Sequence, residues 1–236
     1  MPCVRPMLVG TLITVAARAR RLTGVVAVAL MIATAVPATA QSLPGAELLA
    51  ALRAGGFVIY FRHADTDHSR EDQRPVNFND CATQRLLSDK GRANARAIGE
   101  AIRALGVPIG PVLASPLCRT VETAELAFGS TEKSMATRDG GPDPVGSPGR
   151  FAALRALLST APPAGTNTAI IGHGYPYYSL TGKGQMLEEG EAAIVRPHGT
   201  SFEEVARLGL KEWRQLDHAR SGVPSQNGDV LPSRSR

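Results

Sequence analysis

The run Phe57-Val58-Ile59-Tyr60-Phe61, followed at once by Arg62 and His63, decides how this chain folds. Five consecutive β-branched or aromatic residues without polar alternation mark a strand buried on both faces, as in a parallel sheet covered by helices. Two more runs of this kind follow, Val112-Leu113-Ala114 and Thr168-Ala169-Ile170-Ile171, and Ala192-Ala193-Ile194-Val195 makes a fourth strand. Glu203 to Leu208 reads as an edge strand. Between them lie helical segments. Gln41 to Ala54 is a short entry closed by Gly55-Gly56. Ser88 caps a helix whose apolar face is Ala97, Ile98, Ala101, Ile102 and Leu105, with Gly106 as its stop. Ser115-Pro116 reads as the capped start of a helix that Gly129 ends. Arg150 to Leu158 and Leu210 to His218 complete the set, and residues 130–148 read as a loop rich in Gly, Pro, Ser and Thr. Strands alternating with helices predict an α/β fold, a three-layer α/β/α sandwich with a mainly parallel sheet.

The chain has 236 residues, 43% hydrophobic and 20% charged, enough for one core, while aromatics at 5% leave that core to Ala, Leu, Ile and Val. The net charge of +5 is misleading. Arg5, Arg18, Arg20 and Arg21 sit in the first forty residues with no acid, and without them 22 basic side chains face 21 acidic ones. A net charge of +1 gives no broad case for nucleic acid as a partner. The first forty residues read as an export signal. A basic stretch ends at Arg20-Arg21, an apolar run spans Val25 to Val36, and Ala38-Thr39-Ala40 is a small-x-small cleavage site. A cleaved signal implies a periplasmic or secreted protein without a membrane span, and a retained anchor is the alternative. Residues 41–218 then form the domain and 219–236 a polar tail. In an oxidising compartment Cys81 and Cys118 are either a disulfide or two buried thiols.

Active sites of such sheets lie beyond the carboxyl ends of the strands. There the sequence places Arg62-His63-Ala64-Asp65-Thr66, Ser115-Pro116-Leu117-Cys118-Arg119-Thr120 and Gly172-His173-Gly174. Two guanidinium groups can fork onto phosphate oxygens, and a histidine can attack phosphorus when one ring nitrogen is unprotonated. Phosphoryl transfer needs positioning and charge stabilisation more than covalent assistance. The expectation is therefore no cofactor and no metal. His68, His198 and His218 lack the spacing of a zinc site and read as surface residues. Arg70, Arg74 and Asn77 in the first loop are candidate substrate contacts or a solvated loop.

Taken in order, Arg62-His63-Ala64-Asp65-Thr66, Leu87-Ser88-Asp89-Lys90-Gly91, Ser115 to Ala124 and Gly172-His173 resemble the signature segments of the histidine phosphatase (phosphoglycerate mutase-like) superfamily. The resemblance implies a phosphatase acting on phosphate esters, with His63 as nucleophile and with Arg62, Arg119 and His173 forming the phosphate pocket. It leaves the general acid open. Mutase-like members carry a Glu after the second-arginine helix, and phytase-like members an Asp directly after the second histidine, where this chain has Gly174. Asp139 is the choice here, with Asp143, Glu189 and Glu191 as the other carboxylates. Mutase activity, lipopolysaccharide sugar phosphates, phosphohistidine proteins as substrates, and a phosphate-sensing protein without turnover are the alternative functions.

Overall fold

A computed structural model describes residues 45–139, 149–182 and 184–221. The export-signal reading, Asp143 and the end of the tail lie outside them, as do the side chains of residues 217–221. The elements run α1 (Gly45–Ala54), β1 (Val58–Arg62), α2 (Asp89–Ala104), β2 (Ile109–Ala114), α3 (Cys118–Phe128), β3 (Glu132–Lys133), α4 (Ala152–Ser159), β4 (Asn167–Gly172), α5 (Gly174–Thr181), β5 (Ala192–His198), β6 (Ser201–Leu208) and α6 (Leu210–Ser221). Single 3₁₀ turns occupy Cys81–Thr83 and Met135–Thr137.

The six strands form one sheet in the order β3-β2-β4-β1-β5-β6. Pairs β2–β3, β2–β4 and β1–β4 are parallel, whereas β1–β5 and β5–β6 are antiparallel. β1 shows why its sequence does not alternate in polarity. Ile59 and Phe61 point into a core shared with α1, α2, α3 and α6, where they meet Leu52, Ile102 and Trp213. Val58 and Tyr60 point the other way, onto Leu154 and Leu158 of α4 and Tyr177 of α5. Both faces are dry, which is the three-layer α/β/α sandwich that the run predicted.

Local signals set the helix ends. Ser88 Oγ accepts from Gly91 N at 3.0 Å and starts α2, and Gly129, at φ 87°, closes α3. One expected cap is corrected. α3 is capped by Leu117, with no side-chain hydrogen bond, because the Ser115 hydroxyl is drawn to His173 instead. Two elements were not expected: β3 with its 3₁₀ turn inside the loop after α3, and α5, whose Gly-Tyr-Pro start lacks an apolar helical period.

Cys81 and Cys118 form a disulfide, with Cα atoms 5.7 Å apart. It fastens the long loop after β1 to the first residue of α3. Gln84, fully buried, reinforces the seam: its Oε1 accepts from Cys118 N at 2.8 Å and its Nε2 donates to Asn77 O at 2.7 Å. No helix among the described residues is long and apolar enough to cross a membrane.

Candidate active site

The register of the parallel strands brings the chemistry to one level. Arg62 lies opposite Gly172, and Ala114 opposite Ile171. Each chain then takes one more rung: His63 N donates to Gly172 O at 3.1 Å, and Ser115 N to Ile171 O at 2.9 Å. His63, Ser115 and His173 therefore leave the sheet side by side. The two imidazoles are 2% and 3% exposed, with ring centroids 5.4 Å apart.

His63 Nδ1 lies 2.9 Å from Ala64 O. A carbonyl can only accept, so Nδ1 carries the proton and the lone pair resides on Nε2. Burial, followed by the charges of Arg119 and Arg62, pushes the His63 imidazole down to about 3, against the pull of Ala64 O and Glu189. His173 is likewise held well below its ordinary value by burial and by the nearby His63 and arginines. Both rings are neutral at physiological pH. His173 Nε2 shares a hydrogen bond of 2.9 Å with Ser115 Oγ. Its backbone is clamped by Tyr60, whose hydroxyl donates to His173 O at 2.8 Å and accepts from His173 N at 3.0 Å. Gly172 makes room for that clamp, since a Cβ there would stand 2.2 Å from the Tyr60 hydroxyl.

The arginines are held by different means. Arg62 ends β1, its Nη1 donating to Leu187 O at 2.8 Å and its Nη2 to Glu189 Oε1 at 3.2 Å. Glu189 also accepts from Thr66 N at 2.9 Å and Thr66 Oγ1 at 3.0 Å. Burial opposes its ionisation, but these bonds and the nearby Arg62 keep the carboxyl below its usual range. Arg119, 3% exposed, sits in the first turn of α3 and donates from Nη1 to both oxygens of Asp72, at 2.9 and 3.1 Å. Asp72 also accepts from Arg85 N at 2.9 Å, and despite partial burial its carboxyl is held low by that bond and by Arg119. The Nε atoms of Arg119 and Arg85 are buried with no hydrogen-bond partner among the described residues. Buried donors of charged groups rarely stay unmet, and two on adjacent arginines call for an anionic acceptor.

The structure thus brings Arg62, His63, Arg119 and His173 together. Asp139 stands at the rim, exposed, in the wall of a cleft that also reaches Arg119. Glu191 turns to its own loop, accepting from Glu188 N at 2.8 Å. Asp65, within the first motif, accepts from Lys90 Nζ and from Asn94 Nδ2 at 2.9 Å and so ties its loop to α2. Gly91 permits that packing, because a Cβ there would lie 1.9 Å from Asp65 O. Sequence reasoning missed Arg85, Asp72, Gln84 and Ser115 as parts of the site. No periodicity marks the first three, which the disulfide-closed loop delivers. Among the described residues no group of three His, Cys, Asp or Glu side chains stands close enough to hold a metal ion. His68 and His198 are exposed, each near a glutamate.

Residues 58–140 match the family model of the histidine phosphatase superfamily (branch 1). Similar solved structures include the protein histidine phosphatase SixA complexed with tungstate, at 20% identity, covering 66% of this chain and 97% of that one, with a TM-score of 0.46. A putative phosphohistidine phosphatase SixA from Agrobacterium tumefaciens is 14% identical, covering 65% and 98%, with a TM-score of 0.45. A phosphoserine phosphatase mutant from Entamoeba histolytica in complex with phosphoserine is 13% identical, covering 66% and 98%, with a TM-score of 0.44. Comparison with curated proteins gives no match.

Proposed function

We propose that this protein is a phosphatase that hydrolyses phosphate monoesters in two steps through a phosphohistidine on His63. One observation carries the reading: a buried neutral imidazole, its Nδ1–H committed to Ala64 O, lies beside a second neutral imidazole, near the buried Nε donors of Arg119 and Arg85, which have no acceptor among the described residues. The phosphoryl group sits among Arg62, Arg119 and His173, and the guanidinium groups balance its charge. The His63 Nε2 lone pair forms the N–P bond as the ester P–O bond breaks. The leaving oxygen takes a proton from Asp139. Of the carboxylates near the site, Asp72 and Glu189 are engaged by Arg119 and by Arg62 and are held ionised, so neither has a proton to give. Asp139 lines the cleft beside Arg119. In the second step water attacks phosphorus, Asp139 recovers its proton from that water, and inorganic phosphate leaves as His63 is freed.

The protein acts after export, on this reading, as a periplasmic or secreted enzyme. The disulfide between Cys81 and Cys118 supports that placement, since such bonds persist in oxidising compartments. The experiment is turnover of para-nitrophenyl phosphate. Wild-type protein releases nitrophenolate, and His63→Ala lowers kcat by at least about a thousandfold while far-ultraviolet circular dichroism stays the same. Unchanged turnover in His63→Ala refutes the mechanism.

A further inference from the structure

We infer that Ser115 is a positioning residue of the site: its hydroxyl donates to His173 Nε2, fixes the ring proton on Nδ1, and so makes an uncharged imidazole the donor to a phosphoryl oxygen. This rests on the phosphatase reading and adds a residue that acts through His173 rather than on the substrate. Ser115 Oγ lies 2.9 Å from His173 Nε2, and both residues are buried. They follow directly on the neighbouring parallel strands β2 and β4, so the sheet register sets a contact between residues 58 apart in the chain. Neither partner can turn away. Ser115 N donates to Ile171 O at 2.9 Å, Ser115 O accepts from Thr120 Oγ1 at 2.7 Å, and Pro116 follows. The backbone of His173 is held at its N–H and its carbonyl by the Tyr60 hydroxyl.

The direction of the bond follows from what each group can do. Among the described residues the Ser115 hydroxyl has no acceptor other than His173 Nε2, and Ser115 is fully buried. If Nε2 carried the ring proton, that hydroxyl would be left without an acceptor in a dry site, a loss that buried polar groups rarely bear. If the hydroxyl donates, one bond satisfies both groups. Nε2 is then bare, and the single proton of the neutral ring sits on Nδ1. Burial, and then the nearby His63, Arg119, Arg62 and Arg85, favour that neutral form. Nδ1 has no hydrogen-bond partner among the described residues, so its proton is left for the anion that Arg62 and Arg119 bind. The opposite tautomer would turn a lone pair toward the phosphoryl oxygens and repel them. His63 obeys the same rule with the other atom in use: Ala64 O holds the proton on Nδ1 and bares Nε2 for attack. One neighbour makes its imidazole a nucleophile, and the other makes its imidazole a donor.

Long-range proton–nitrogen NMR correlations of the full chain, isotopically labelled at histidine and saturated with inorganic phosphate at neutral pH, read the tautomer directly. The His173 signals are those that vanish in His173→Gln, and no variant of Ser115 has to fold. The expected ring is protonated on Nδ1 and bare on Nε2; a ring protonated on Nε2, or on both nitrogens, overturns the assignment. Turnover of para-nitrophenyl phosphate gives the second readout. Loss of one preorganised donor lowers kcat by about a hundredfold to a thousandfold, so Ser115→Ala, which leaves the ring proton unfixed, lowers kcat by at least about thirtyfold. Ser115→Thr keeps the hydroxyl and retains a kcat at least about tenfold above that of Ser115→Ala. With both variants folded by circular dichroism, a Ser115→Ala kcat within about threefold of wild type, or equal losses in the two variants, overturns the role. Turnover through His63 with an Nε2–H ring at His173 refutes this inference and keeps the phosphatase. An Nδ1–H ring in a protein that hydrolyses no ester refutes hydrolysis and keeps Ser115 as the residue that sets the tautomer.

Discussion

Replacing Cys81 and Cys118 together by serine removes a cross-link that closes a loop of 37 residues. In the chain-entropy treatment a loop of that length restricts the unfolded state by roughly 13 cal/mol/K, about 3.8 kcal/mol at room temperature. Part of this is not recovered. The Gln84–Cys118 bond and the bridge between Thr66 and Leu87 persist without the disulfide, and the unfolded chain keeps residual compactness. The expected loss is therefore about 2 to 4 kcal/mol. Urea unfolding followed by the emission of Trp213, fully buried and the single tryptophan of the chain, measures it directly. The variant unfolds at lower urea, and the KM for para-nitrophenyl phosphate rises, since the freed loop carries Asp72 and Arg85 and Cys118 immediately precedes Arg119. Unfolding free energies that agree to within about 0.5 kcal/mol, or labelling of Cys81 and Cys118 by a thiol reagent in the unreduced native protein, refute the reasoning.

Acid should destabilise the fold through His63. Its folded-state value of about 3 lies below the ordinary 6.5, so the unfolded chain binds the extra proton between those values, and stability present above about pH 6.5 is lost as pH falls. Between about pH 7 and pH 4 the loss from this group is roughly 3 kcal/mol, and His63→Ala should flatten that part of the stability profile; an unchanged slope contradicts a buried neutral imidazole. Gly172→Ala should cost about 3 kcal/mol or more, because the new methyl meets the Tyr60 hydroxyl at 2.2 Å; adding Tyr60→Phe should recover part of that, and strictly additive losses by denaturant unfolding argue against the contact. Asp139→Asn should lower kcat/KM for an alkyl phosphate by about a hundredfold or more but for para-nitrophenyl phosphate by less than about tenfold, since nitrophenolate leaves without a proton. Equal losses on both esters exclude Asp139 as the acid.

Much of the fold was legible because hydrophobic patterning is local. The unbroken run at β1 announced a strand covered on both faces, and Ser88, Gly106 and Gly129 marked helix ends through capping and left-handed backbone. The motif residues were legible for a topological reason, since His63, Arg119 and His173 each follow a parallel strand. What escaped depends on contacts between distant segments. Ser115 carries a cap signal, but its hydroxyl goes to His173, 58 residues away. Asp72 and Arg85 look like any charged loop residues until the disulfide folds their loop onto α3. The Gly-Tyr-Pro opening of α5 has no helical period, and that helix is anchored by long-range contacts of Tyr177, which stacks on Tyr60 with ring centroids 4.9 Å apart and donates to Glu204 at 2.7 Å.

The central claim is that phosphate is transferred to the Nε2 atom of His63. Rapid mixing of the full chain with radiolabelled para-nitrophenyl phosphate, an alkaline quench and peptide mass spectrometry test it most directly. The account predicts an acid-labile, alkali-stable phosphoryl group on the peptide bearing His63, formed at the rate of the nitrophenolate burst. Steady turnover with no label on that peptide, or label on His173 instead, contradicts it.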